Sequence, residues 1–242
     1  MTSTDLTAPR PPFAVTPRRP GEPEPDLTGF TLIHRALRSG ARLLADAVSG
    51  IAQGRPCSRE RQRAVVTFSL AVLHEITCHH EREDDTLWPV IVASVGGADS
   101  SDEGAAVDLA ALSDDHAVLH KVLDRVHEVL PRFARDAREA APLLAPVLTE
   151  LADLLDEHIA EEEELTFPVV RRYVSASDFA RCERLFQRGT TPGQLLFVLP
   201  WVADQCTPEE RAELLQLAGP PLRLLLRIGE PRWTRRRDLV RG

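Results

Sequence analysis

Hydrophobic residues recur along most of the chain at the three- and four-residue spacing of a helix with one apolar face. From Leu27 onward, Leu32, Ile33, Leu37, Leu43, Leu44 and Val48 share one stripe, which Gly50 to Pro56 interrupts. A second helix is predicted from about Ser58 to Leu87, carrying Val65, Val66, Phe68, Leu70, Val72, Leu73 and Ile76, with Pro89 disturbing its end. Gly96 to Gly104 reads as an acidic, Ser/Gly-rich loop. A third helix is predicted over about Ala105 to Asp136. A fourth spans about Ala141 to Tyr173, with Pro142 and Pro146 in its early turns, where proline is best tolerated. No segment alternates as a half-buried strand would. The pattern predicts an all-α fold, an up-down four-helix bundle over residues 27–175.

The flanks read differently. Residues 1–26 hold Pro9, Pro11, Pro12, Pro17, Pro20, Pro23 and Pro25 and are expected to form a flexible, locally extended leader. Residues 176–242 are expected to form a C-terminal helical extension, with short helices over roughly 178–187, 193–203, 208–217 and 220–228. A basic tail with Arg232, Arg235, Arg236, Arg237 and Arg241 follows, read as a solvated terminus.

Composition narrows the classes. The chain has 242 residues, 43% of them hydrophobic, which suits one domain with extensions. Its net charge of -8 gives no general attraction to nucleic acid or to an anionic membrane. Cys57, Cys78, Cys182 and Cys206 lack paired spacing, as expected of reduced thiols in a cytoplasmic protein. The N-terminus shows no apolar signal core, and the most apolar stretch, Leu195 to Val202, is too short for a transmembrane segment.

The chemistry lies in a diverged repeat. His79 and His158 are each followed by acidic residues four and five positions on (Glu83 and Asp84; Glu162 and Glu163), then by an aromatic (Trp88; Phe167) and a proline (Pro89; Pro168). A histidine and a carboxylate one helical turn apart share a face, so His79 with Glu83, and His158 with Glu162, can grip one metal ion. The third helix offers His116 and His120 one turn apart, and the first offers His34 among Leu32, Ile33 and Leu37. In a bundle these apolar stripes meet. Imidazole with carboxylate favours iron over magnesium or calcium, and a carboxylate buried there without a cation is costly. Two six-coordinate irons need about twelve ligand positions. Those imidazoles, two bridging carboxylates and a bridging oxygen leave roughly one position open, enough for a diatomic molecule or peroxide. Asp84 is read as a neighbour of the ligands, and His74, His80 and His127 as neighbours of the ligands or surface residues.

Taken together, these residues resemble the hemerythrin-like family of hemerythrin HHE cation-binding domains. Its pattern is one histidine, then His-x-x-x-Glu, then His-x-x-x-His, then a histidine with a carboxylate four or five residues on. Here those are His34, His79 with Glu83, His116 with His120, and His158 with Glu162 or Glu163. The resemblance implies a left-twisted four-helix bundle around two iron ions joined by an oxo or hydroxo bridge. Its members bind oxygen, sense oxygen or iron, or decompose peroxide and nitric oxide. Dioxygen or peroxide is therefore the expected partner, with peroxide removal a possible enzymatic role. The alternative is a di-iron oxidase or oxygenase acting on a small organic substrate. It would need a separate electron donor, because the chain has no flavin or nicotinamide motif. The segment around Phe197 to Trp201 resembles the C-terminal extension of some bacterial members, which would pack on the bundle.

Overall fold

The computed structural model describes residues 10–97 and 109–242. Among them the regular elements are helices: α1 (Thr28–Ala52), α2 (Arg59–Arg82), a π-helical turn (Glu83–Leu87), α3 (Trp88–Gly96), α4 (Leu109–Arg135), α5 (Ala137–Tyr173), α6 (Ala176–Phe186), α7 (Pro192–Ala203), α8 (Pro208–Leu217) and α9 (Pro220–Arg241). The described residues contain no strand, only one isolated bridge between Pro17 and Val174. None of these helices is long and apolar enough to cross a membrane. Most of the predicted Ser/Gly-rich loop, and the predicted start of the third helix, lie outside the described residues.

Contacts divide the chain into two units. The larger comprises Thr28–Thr77, Ala117–Ile159 and Gly189–Gly242. Its core contains Leu37, Leu44, Phe68 and Leu73 of the predicted stripes, together with Phe133 of α4 and Leu148 of α5, all fully buried. Leu70 departs from the prediction and is 49% exposed. One residue, Asp136, separates α4 from α5. Its Oδ1 accepts the amides of Arg138 (3.0 Å) and Glu139 (3.1 Å), capping α5 and starting that helix before the predicted Ala141.

The extension supplies the rest of this unit. Helices α7 and α8 each open with a proline in the first turn and a reciprocal cap, Thr191 with Gln194 and Thr207 with Glu210. Trp201 is fully buried among Phe68, Phe197 and Trp233, with ring centroids 6.2, 5.3 and 6.1 Å away. Helices α7 and α9 approach closely at Gly229, where a Cβ would lie 2.7 Å from the Leu196 carbonyl oxygen. The predicted solvated tail is instead the second half of α9, with Trp233 and Val240 buried. Arg61 donates to the carbonyls of Val240 (3.2 Å) and Arg241 (3.0 Å), while Arg235 pairs with Glu60 and Arg237 with Asp204.

The smaller unit comprises the described residues through Leu27, with those of Cys78–His116 and Ala160–Arg188. The predicted flexible leader is in part laid along this unit. The Thr16 amide donates to Asp178 (2.7 Å) and the Arg18 amide to the Tyr173 carbonyl (2.8 Å). Arg181 covers the Phe13 ring at 3.9 Å. Residues 1–9 lie outside the described residues. The second predicted helix does not end at Leu87. It widens into the π turn and resumes as α3, with Pro89 in the first turn, where its missing amide is no loss.

Two stability predictions follow from the larger unit. Trp201→Ala should cost roughly 3–5 kcal/mol in urea denaturation, the usual penalty for emptying a buried aromatic site. Asp156 accepts from Arg38 (2.7 Å) and Arg42 (2.8 Å). Burial raises its carboxyl, but the hydrogen bonds from Arg38 and then Arg42 outweigh this and hold it below the ordinary value. A depressed carboxyl stabilises the fold above its unfolded pKa of about 3.9, and that contribution disappears as pH falls through the folded value. Asp156→Asn should therefore cost about 1 kcal/mol or less at pH 7. The gap between variant and parent should close progressively in acid denaturation curves.

Candidate metal centre

The site grows from the junction of α2 with the π turn. His79 lies in the last turn of α2, and Glu83 is the first π residue. Both are buried, Glu83 with no exposure at all. Glu83 Oε1 is 2.9 Å from His79 Nε2, and Oε2 is 3.6 Å from His116 Nε2 on α4. One carboxylate thus turns each of its oxygens toward a different imidazole.

Asp84 is the next residue in the π turn and reaches α4. Its Oδ2 lies 3.0 Å from His116 Nδ1, and its Oδ1 accepts the Ser113 hydroxyl at 2.9 Å. A carboxylate at Nδ1 holds the proton on that nitrogen and leaves the Nε2 lone pair facing Glu83. The His116 ring is stacked on His80 at 4.3 Å with 14° between planes, and Trp88 lies nearly parallel to it at 6.4 Å. His116 is thereby fixed in both tautomer and orientation.

On α5, Glu162 is fully buried, and its ligand oxygen lies within 4.8 Å of donor atoms of His79 and Glu83. Its own carbonyl accepts the Thr166 hydroxyl at 2.8 Å. Glu163 is only half-buried and lies outside this group. His80, expected beside the ligands, is fully buried, and a ring nitrogen lies within 4.8 Å of one on His116. In the larger unit His34 is fully buried on α1 with the Phe30 ring 4.7 Å away, and His158 is buried on α5, one turn before Glu162. His120 is half-buried on α4 and belongs to neither group. His74, expected near the ligands, is exposed on the outer side of α2, where its Nε2 accepts from Gln194 at 2.8 Å. His127, read as a neighbour of the ligands or a surface residue, is exposed.

The donor set fits a metal ion. His79 Nε2 and Glu83 Oε1, 2.9 Å apart, meet either through an imidazole N–H or through a metal ion that both ligate. Two ligand atoms bound about 2.1 Å from a metal at right angles stand about 3 Å apart, close to the spacing between His79 and Glu83. Buried Glu83 and Glu162 also require compensating positive charge. These His/Glu clusters can bind metal.

The family model described as the hemerythrin HHE cation binding domain matches residues 27–170. The chain belongs to this family. The HHE domain runs from the residue before α1 nearly to the end of α5, and it contains every histidine and carboxylate of the candidate metal centre. No curated protein and no solved structure matches the chain.

Because Asp84 orients an HHE-domain imidazole, Asp84→Ala should weaken metal binding about 10–100-fold. Competition against a chromophoric chelator would measure this, with circular dichroism confirming that the helices remain.

Proposed function

We propose that the HHE domain is an up-down four-helix bundle of α1, α2, α4 and α5 that holds two iron ions joined by an oxo or hydroxo bridge, and that it binds or reacts with dioxygen or peroxide. In this reading His79, Glu83 and Glu162 hold one ion and His80 and His116 the other, and the family pattern is the ground for adding His34 and His158 as ligands. The carrying observation is Glu83, whose two oxygens face two different imidazoles, as a carboxylate bridging a metal pair would. His120 and Glu163 remain half-buried neighbours of the ligands.

Iron, when bound, supplies reversible one-electron chemistry toward dioxygen or peroxide. The chain's own residues set the conditions for it. Glu83 and Glu162 offset the charge of oxidised metal, which favours the ferric pair. Asp84 keeps the proton on His116 Nδ1, so Nε2 is available as a ligand. Peroxide disproportionation at such a pair would balance without further electrons, whereas oxidation of an organic substrate would need a separate electron donor. A reducing cytoplasm suits the cysteines, which form no disulfide. Burial, reinforced by Asp178, pushes the Cys182 thiol up to about 12, so it stays protonated.

Metal analysis of the purified protein should find two irons per chain, with an absorption band that changes on adding dioxygen to the reduced form or peroxide to the oxidised form. His79→Ala and His116→Ala should each lower iron content sharply. Zinc in place of iron, or a spectrum indifferent to both oxidants, would overturn the proposal.

A further inference from the structure

A second site lies in the larger unit, at the elbow where α4 meets α5. A cleft of about 400 Å³ opens there against the α1–α2 loop. Four arginines line it from separate segments: Arg55 in the loop, Arg59 at the start of α2, Arg135 at the end of α4 and Arg138 in the first turn of α5. The one carboxylate lining it is Asp136, whose Oδ1 is already engaged by the amides of Arg138 and Glu139.

The arginines of this unit's flank are arranged otherwise. Arg38 pairs with Asp156 and Arg125 with Glu150, both at 2.7 Å. Among the described residues none of the four cleft arginines pairs with a carboxylate, although the whole chain carries a net charge of -8. Four exposed guanidinium groups around one small volume repel one another unless an anion sits among them.

The walls are also fixed. Buried Gln62 donates to the carbonyls of Phe133 (2.6 Å) and Ala134 (3.0 Å), and Arg59 donates to that of Arg135 (3.4 Å). These bonds tie the start of α2 to the end of α4. Arg61 holds the loop through the Pro56 carbonyl at 2.7 Å, and Gly54 turns it with φ +99°. The side chains therefore project from a preformed frame, which lowers the ordering cost of binding.

We propose that this cleft binds a small, multiply charged phosphate-bearing anion. The guanidinium fork matches two phosphate oxygens at once, and the cleft has the volume of a small-molecule site rather than that of a long peptide groove. The site shares no residue with the metal centre.

The test is isothermal titration of the full chain with inorganic pyrophosphate at about 0.1 M salt, where long-range attraction is largely screened. One saturable site should appear, weakened at least tenfold in Arg59→Gln/Arg135→Gln and unchanged in Arg223→Gln, an exposed arginine of α9. Thermal melts would confirm that each variant folds. Absence of saturable binding, or equal affinity in the double variant, overturns the proposal. So does binding to phosphatidic acid vesicles with no response to pyrophosphate, which would make the ligand a lipid surface.

Discussion

A carboxylate removed wholly from water is among the least favourable groups a fold can contain, costing several kcal/mol unless charge and hydrogen bonds answer it. Glu83 and Glu162 are both in that state. With the His116 proton held at Nδ1 by Asp84, the nitrogen facing Glu83 is a lone pair opposite a lone pair. Only a proton or a metal ion turns that approach into attraction. The surrounding structure is consistent with this need. Asp84 and Ser113 set the tautomer, His80 and Trp88 set the ring plane, and the π turn lets consecutive residues 83 and 84 serve opposite ends of one imidazole.

The π turn also shows why the buried Glu83 carboxylate sits at a helical irregularity. In a regular helix Glu83 and Pro89 would belong to one continuous ladder, and the proline would delete one of its hydrogen bonds. Widening the helix over residues 83–87 absorbs the mismatch before Pro89, which then occupies the tolerant first turn of α3. The corresponding Pro168 of the repeat lies in a helix that continues unbroken to Tyr173. The two halves of the sequence repeat thus share residue types without sharing backbone, and only the half that contacts α4 through Asp84 is π-helical.

Much of the site was legible in the sequence, because a helical stripe is periodic. The positions of His79 with Glu83, and of His116, follow directly from spacing. The stripe also contained information that pairwise spacing missed. On α5 the buried positions are Leu155, His158, Ile159, Glu162, Thr166, Phe167 and Val170, so Glu162 falls on the helical stripe and half-buried Glu163 beside it. On α4 they are Leu112, His116, Leu119, Val122, Leu123 and Val126, with His120 half-buried beside Leu119. Spacing of one turn puts two residues on the same side of a helix, and the continuing stripe shows how deeply each is buried. His80 was not legible in this way. Its burial beside His79 requires α2 to be covered on more than one face, which only tertiary packing provides.

The extension was legible as helices but not as core. The seam of α9 runs through Leu226, Gly229, Trp233 and Val240, a pattern hidden by Pro231 and a run of arginines. Its importance is recorded elsewhere in the chain, in α1. A Cβ on Gly40 would stand 2.5 Å from the Trp201 ring, so α1 leaves out a side chain at the one place where the tryptophan of α7 enters. Gly40 lies inside the HHE match and Trp201 lies beyond it. Glycine inside a helix costs about 1 kcal/mol relative to alanine, a cost offset here by the close fit of Trp201 and, at 3.2 Å, of Val72. The first helix of the HHE domain is therefore fitted to the extension, and α7 and α9 complete the core of the larger unit rather than being appended to it.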